Sequence, residues 1–503
     1  MKRSLSLLLF SAVLVGVAGL CPTLVQAQGL TPWTAQQTIP DFHPETEPPL
    51  LIADQARTVH AFSSQWLPDD GGPAQLAILY NQWSAQNGWT PPTDILLSPL
   101  RGQAWIMDGF LDATGTVHLL IFSGDDVEAE IYYTHAPLSN ASNTHAWADP
   151  ILVGPGAQTP KSASIATDGQ GNMVILYGGR LDGFGVYTVY SADNGASWSV
   201  PEPIYFTNSG DLKAHAIQIS KGASGWLHTI WAVVSAEGQG RTIYYSQQRL
   251  GERVWSAPVP LAEAPSGLGV MTPTIIEHND TVFAIFNRAP KVVMRRSSDY
   301  GATWSEIIEI FDQHVGVNGT ISLVVDGNGD LHQFWGQRIT GNPDIHGMWH
   351  SIWRGGAWTP PEPLVSGPQI NDVVGDTAFD PYDARAVVSQ GDTILTTWRS
   401  DPGNKGNGVW YSYQQLNAPA QPEIALPTPL PTPTVTPTQT PITPTATPTR
   451  PAALLLNRDT IAAAPATNAG NAPAFTLLIS MIPALLIVVA LLARSYFVQL
   501  VRR

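Results

Sequence analysis

Cysteine is almost missing from this chain. Its 503 residues hold one, Cys21, so no intramolecular disulfide is available and core burial has to hold the fold. A chain of this length can bury enough for that. Charge is scarce as well. Charged residues make up 13% of the whole, with 25 Lys and Arg against 40 Asp and Glu, a formal net charge of −15. Too few cations are present to neutralise a run of phosphates, which excludes nucleic acid as a partner. Long apolar runs are lacking from the body of the chain and occur only near its ends. Plentiful instead are glycine (44), proline (43) and tryptophan (17), the profile of many short strands joined by tight turns rather than of helices.

The tryptophans recur in one phrase: a strand-like run, a turn, then Trp, Ser or Thr, and usually Pro. Trp89, Trp147, Trp198, Trp255, Trp304 and Trp358 follow one another at intervals of 49 to 58 residues. A period near fifty in a strand-rich chain predicts a repeat array of the propeller type. Each unit also contains an earlier hairpin, and seven of these align, starting at Leu51, Phe110, Ile165, Ile217, Thr274, Leu323 and Ala386. Four strands per unit, seven times over, predict an all-β, seven-bladed β-propeller, with six blades as the alternative. The seventh unit has no Trp after Tyr411-Ser412-Tyr413. The phrase Thr31-Pro32-Trp33-Thr34 at the other end resembles the rim phrase around Trp255. The N-terminal segment is therefore expected to supply the last blade's outer strand and close the ring without a free edge.

The two ends predict export and anchoring. Residues 1–27 read as a signal peptide, with Lys2 and Arg3 before an apolar run and Ala27 at the cleavage site. The propeller is expected over 28–425 and a Pro/Thr-rich extended stalk over 426–473. Residues 474–493 read as one transmembrane helix and 494–503 as a short basic cytoplasmic tail. Together they predict a single-pass protein of the cell membrane with its propeller outside.

Two units carry a sharper motif. Ser297-Ser298-Asp299-Tyr300-Gly301-Ala302-Thr303-Trp304 fits Ser-x-Asp-x-Gly-x-Thr-Trp, and Ser191-Ala192-Asp193-Asn194-Gly195-Ala196-Ser197-Trp198 fits it with Ser for Thr. The motif resembles the Asp-box, the bacterial neuraminidase repeat of the sialidase superfamily. By that resemblance Ser191, Asp193, Gly195, Trp198, Ser297, Asp299, Gly301 and Trp304 are structural and lie away from an active site. The resemblance also implies arginines for a substrate carboxylate, a Tyr nucleophile assisted by Glu, and an Asp acid/base. The Phe/Tyr-Arg-Ile-Pro tetrapeptide that carries the family's first arginine is absent here, and sialidases have six blades. Both departures count against transferring the activity.

Functional groups are expected on the loops that converge at the central opening. Tyr382, Asp383 and Glu237 are the catalytic candidates. Arg180, Arg288, Arg338, Arg385 and Arg399 are the ligand-binding ones, because guanidinium forks suit carboxylates and sulfates. No cofactor or metal is expected. Asp326-Gly327-Asn328-Gly329-Asp330 lacks the downstream Glu of a calcium loop and reads as a hairpin turn. His60, His118, His228 and His332 recur at one place on separate units, which favours packing or hydrogen bonding. Two functions follow: a membrane-anchored module binding an extracellular glycan or surface protein through its central face, or an exo-acting, sialidase-like glycoside hydrolase on acidic sugars. Oligomeric state is left open.

Overall fold

The computed structural model describes residues 32–424, apart from 44–45, 67–75, 101, 125–127, 161, 208, 265–267, 312–317, 338–346, 367–380 and 401–407. Its strands form seven antiparallel sheets, the blades of a propeller. Blade 1 starts with Leu50–Ala53, Val59–Trp66 and Leu76–Ser84. Blade 2 is Gln103–Leu111, Thr116–Gly124, Ala129–Pro137 and Ile151–Gly154. Blade 3 is Ala163–Thr167, Met173–Gly179, Gly185–Ser191 and Glu202–Phe206. Blade 4 is Leu212–Lys221, Trp226–Ser235, Gly240–Arg249 and Val259–Glu263. Blade 5 is Val270–His278, Thr281–Arg288, Lys291–Ser297 and Ile308–Glu309. Blade 6 contains Asn318–Val325, Leu331–Gln337, Gly347–Arg354 and Glu362–Ser366.

Blade 7 has Pro381–Ser389, Thr393–Ser400 and Val409–Gln415 from the end of the described chain. Its outer strand is Gln37–Thr38, paired with Tyr411 and Trp410. Thr34 N adds a bond to Tyr413 O at 3.0 Å. The ring closes through the N-terminal segment, and the blades number seven, not six.

The second strands are buried along nearly their whole length because both faces are covered by neighbouring blades. In Met173–Gly179 and Leu331–Gln337 every residue is buried. The recurring indoles fill the seams. Trp147 packs edge-on against Phe62 of blade 1, Trp198 against Tyr133 of blade 2 and Trp304 against Tyr245 of blade 4. Trp33 does the same with Phe334 of blade 6. Each rim tryptophan thus wedges against the preceding blade, and the ring is held by seven similar apolar contacts.

Hydrogen bonds add to this near the axis. Ile106 N donates to Ser64 Oγ at 3.0 Å, Ile165 N to Asp108 Oδ2 at 3.1 Å, Ile219 N to Ser164 Oγ at 3.1 Å and Ala386 N to Ser322 Oγ at 3.0 Å. Each joins an inner strand to the blade before it. Such bonds contribute about 1 kcal/mol apiece.

The expectation of a membrane anchor is corrected. Among the described residues no helix is long and apolar enough to cross a membrane. Their two helical pieces are three-residue 3-10 turns, Leu138–Asn140 and Thr144–Ala146, about 6 Å long against a hydrocarbon core of roughly 30 Å. Residues 474–493, on which the transmembrane helix rested, lie outside the described residues. So do the signal peptide, the stalk and the basic tail. The single-pass cell-membrane location, the membrane as a partner and the extracellular placement of the propeller therefore do not stand, nor does the reading of a membrane-anchored binding module.

Candidate active site

Five of the seven inner strands carry a bulge at a similar height. Their registers shift between Ile106 and Asp108, His215 and Gln218, Met271 and Thr274, Asn318 and Ser322, and Tyr382 and Arg385. Three of these bulges hold a non-glycine residue in the left-handed region: Ala216 (φ 52°), Thr272 (φ 48°) and Asp383 (φ 54°). A β-branched Thr in that region costs on the order of 1–3 kcal/mol, and such strain tends to collect at functional sites. A bulge also re-aims the side chains that follow it. Here they line a central cavity of about 240 Å³.

The wall of that cavity is polar. Asp108, Ser164, Gln218, Thr274, Ser322 and Arg385 come from six different blades. Asp108 is the only carboxylate and Arg385 the only cation among the described lining residues. Asp108 Oδ2 accepts from Ser164 Oγ at 2.5 Å and from Ile165 N at 3.1 Å, while Oδ1 accepts from Gly109 N at 2.8 Å. Burial pushes its pKa above the ordinary 3.8. The Ser164 and backbone hydrogen bonds and the Arg385 charge oppose that rise without cancelling it. Asp108 is therefore a carboxyl disposed to hold its proton beside a fixed positive charge, the pattern of a general acid.

The candidates named from sequence are distributed unevenly. Arg385 lines the cavity. Tyr382 and Asp383 precede it on the same strand without lining it. Asp383 is buried, and its Oδ1 accepts from Thr320 N at 2.9 Å, which ties its bulge to blade 6. Tyr382 is half-buried and lies opposite Arg399 in the ladder. Arg399 is buried and its Nη1 donates to Glu47 Oε1 at 2.6 Å. Arg288 ends the second strand of blade 5, opposite Val270 and Lys291. Arg180 is exposed, and its backbone N binds Gly156 O at 2.9 Å. Glu237 sits on an exposed turn of blade 4, its pKa lowered by the Ser235 side chain. No described contact joins it to Tyr382 or Asp383. Arg338 lies outside the described residues.

Asp108 and Ser164 escaped the sequence reading. The bulge at Met107 breaks the two-residue alternation, so the blade 2 hairpin seemed to start at Phe110. The usable signal was an Asp-Gly pair inside the otherwise mainly apolar run Ala104 to Leu111. A second niche, between blades 3 and 4, measures about 30 Å³, the share of a single water.

The two Asp-box turns satisfy themselves. Asp299 Oδ1 accepts from Ser297 Oγ at 2.7 Å and Thr303 N at 2.8 Å, and Oδ2 from Thr303 Oγ1 at 2.6 Å. Asp193 does the same with Ser191 and Ser197 at 2.5 to 2.9 Å. Gly301 has φ 92°, and a Cβ there would strike the Tyr245 hydroxyl of the neighbouring blade. Glycine is required on both counts. Among the described residues no group of three or more His, Cys, Asp or Glu could hold a metal. Asp326 Oδ1 accepts from Asn328 N at 2.9 Å and Asp330 N at 2.8 Å, closing a hairpin turn.

No family model matches the chain, and no curated protein matches it in sequence. Solved structures similar in fold include a protein of unknown function from Dyadobacter fermentans, 14% identical with a TM-score of 0.46, covering 76% of this chain and 99% of that one. An ulvan lyase is similar at 11% identity and TM-score 0.49, covering 78% and 97%. The intramolecular trans-sialidase from Ruminococcus gnavus is similar at 12% identity and TM-score 0.41, covering 76% and 96%. At such identities the likeness is one of fold.

Proposed function

We propose that this propeller is a glycoside hydrolase of sialidase-like, exo-acting type that takes an acidic sugar into its central cavity. The observation that supports it is that Asp108 and Arg385, one carboxyl and one cation, line the same cavity. In this reading the Arg385 fork binds the sugar's carboxylate. Asp108, protonated, gives its proton to the glycosidic oxygen as the bond to the anomeric carbon breaks. Tyr382, the residue to which the Asp-box resemblance gives the nucleophile's role, stands outside the cavity lining, so in this reading a water adds its oxygen to the anomeric carbon and releases its proton to solvent. Ser164, Gln218, Thr274 and Ser322 offer hydrogen bonds to sugar hydroxyls.

The test is release of a fluorogenic acidic glycoside by the full chain. Asp108→Asn removes the acid and keeps one acceptor oxygen, for Ser164 Oγ and Ile165 N or for Gly109 N but not for both, so the melting midpoint of the variant is read beside its turnover to separate chemistry from folding. The expected result is turnover by the wild type that falls about 10²–10⁴-fold in kcat/KM in the Asn variant. Turnover untouched by the substitution, or none in the wild type over a panel of acidic glycosides, overturns the proposal.

A further inference from the structure

Arg385 lines the cavity directly after the blade 7 bulge. Tyr382 pairs with Arg399 and Arg385 with Thr397, so Asp383 and Ala384 together stand opposite Trp398. The extra residue decides where the guanidinium goes, because a one-residue shift turns every later side chain to the opposite face. Among the described residues no hydrogen bond or ion pair holds the Arg385 guanidinium itself. Its place is set by the backbone that carries it.

Asp383 occupies the bulge at φ 54°. Aspartate tolerates the left-handed region better than most residues, because its short carboxylate can accept a nearby N–H. Here the N–H comes from another blade, with Thr320 N donating to Asp383 Oδ1 at 2.9 Å. Two further bonds join the same pair of strands. Thr320 Oγ1 donates to Ala384 O at 3.3 Å, and Ala386 N donates to Ser322 Oγ at 3.0 Å. The residues before and after Arg385 are thus both bonded to blade 6.

The blade 6 strand is shaped for this approach. Gly319 has φ 70°, and a Cβ there would strike Asp383 N and Oδ1, so only glycine lets the two strands come this close. Gly319 is held in turn from blade 5, where Asn287 Nδ2 donates to Thr272 Oγ1 at 2.5 Å and to Gly319 O at 3.4 Å. Three left-handed residues, Thr272, Gly319 and Asp383, are therefore linked across three consecutive blades. The linkage ends beside Arg385.

We propose that Asp383 is the positioning residue for Arg385: its bond to Thr320 N fixes the bulge that aims the guanidinium at a substrate carboxylate in the central cavity. The role rests on the reading that Arg385 binds the sugar's acid group. Asp383 itself touches no substrate and transfers no proton. Losing its acceptor should weaken binding and leave the chemical step alone.

The test compares two substitutions in the full chain. Asp383→Gly keeps a backbone at ease in the left-handed region but removes the acceptor. Asp383→Asn keeps a short side chain, the tolerance of that region and one acceptor oxygen. Both remove the same charge, so their difference isolates the bond. The first readout needs no substrate. It is the titration midpoint of the ¹³C-labelled Asp108 carboxyl, which the Arg385 charge helps to hold down. The midpoint should lie higher in the Gly variant than in the Asn variant, because the charge has moved away. In an Arg385→Ala background the gap should close, since no guanidinium is left to displace. With a fluorogenic acidic glycoside, Asp383→Gly should raise KM about 10-fold at nearly constant kcat, and Asp383→Asn should stay within about twofold of the wild type.

Equal Asp108 midpoints in the two variants overturn the positioning role, whatever the turnover. So does a gap that survives Arg385→Ala, which would mark a general loosening of the wall. A wild type that cleaves no acidic glycoside sinks the hydrolase reading instead, and the midpoint gap still decides the hold of Asp383 on Arg385. If Asp383→Gly fails to fold, Asp383→Ser takes its place, with a hydroxyl one bond too short to reach Thr320 N.

Discussion

Asp299 and Asp108 are the same residue type in opposite circumstances, and the contrast separates the two faces of this propeller. Asp299 is exposed at an Asp-box turn. Hydrogen bonds from Thr303 and Ser297 hold its pKa down at about 2, against an ordinary 3.8. Asp108 also accepts three hydrogen bonds, yet burial at the cavity wall outweighs them and pushes its pKa up. The turn spends its carboxylate on its own backbone and has nothing left to exchange. The cavity leaves its carboxyl with a protonation state that chemistry can use.

The strongest way to break the comparison is to exchange roles. Asp108→Asn should lower kcat/KM by about 10²–10⁴-fold, whereas Asp299→Asn should leave it within about twofold when checked by the same fluorogenic assay. Truncating a wedge tests the frame instead. Trp304→Ala should destabilise by about 3–5 kcal/mol, read from denaturant midpoints, because the Tyr245 contact of blade 4 is lost. Arg385→Ala should raise KM by about 10-fold or more and move the alkaline limb of the pH profile upward, because the charge that holds the Asp108 pKa down is lost.

The smallest effect concerns pH and stability. The folded pKa of Asp299 is depressed, so its contribution is present above the unfolded value and is lost as pH falls from about 4 towards about 2. Asp299→Ala should therefore lower the melting midpoint by on the order of 2 °C at neutral pH, a gap that closes in acid. Asp108 has the opposite sign. Ionising it costs the folded form, so Asp108→Asn should gain on the wild type as pH rises above the ordinary carboxylate value. Glu237→Gln, on its exposed turn, should change neither stability nor kcat/KM measurably.

Much of the frame is legible in the sequence. The spacing of Trp89 through Trp358 set the repeat and marked six of the seams, and the seven aligned hairpins counted the blades. The missing rim phrase after Tyr413 pointed to Trp33, and Thr34, Gln37 and Thr38 do pair with the last blade. The cavity was only half readable. Arg385 stood out as a cation at an inner-strand start. Asp108 did not, since a one-residue bulge at Met107 shifts it out of the alternation that sequence reasoning follows. Arg399 shows the reverse failure. A loop-end arginine looked available, but Glu47 from before blade 1 had already engaged it, and no local sequence pattern links residues so far apart.

The most direct measurement is the titration of the Asp108 carboxyl carbon in ¹³C-aspartate-labelled protein, assigned with Asp108→Asn. The account predicts a midpoint above the ordinary 3.8. A midpoint at or below 3.8 in the intact protein would mean that Asp108 is ionised like Asp299, and the cavity would hold no acid.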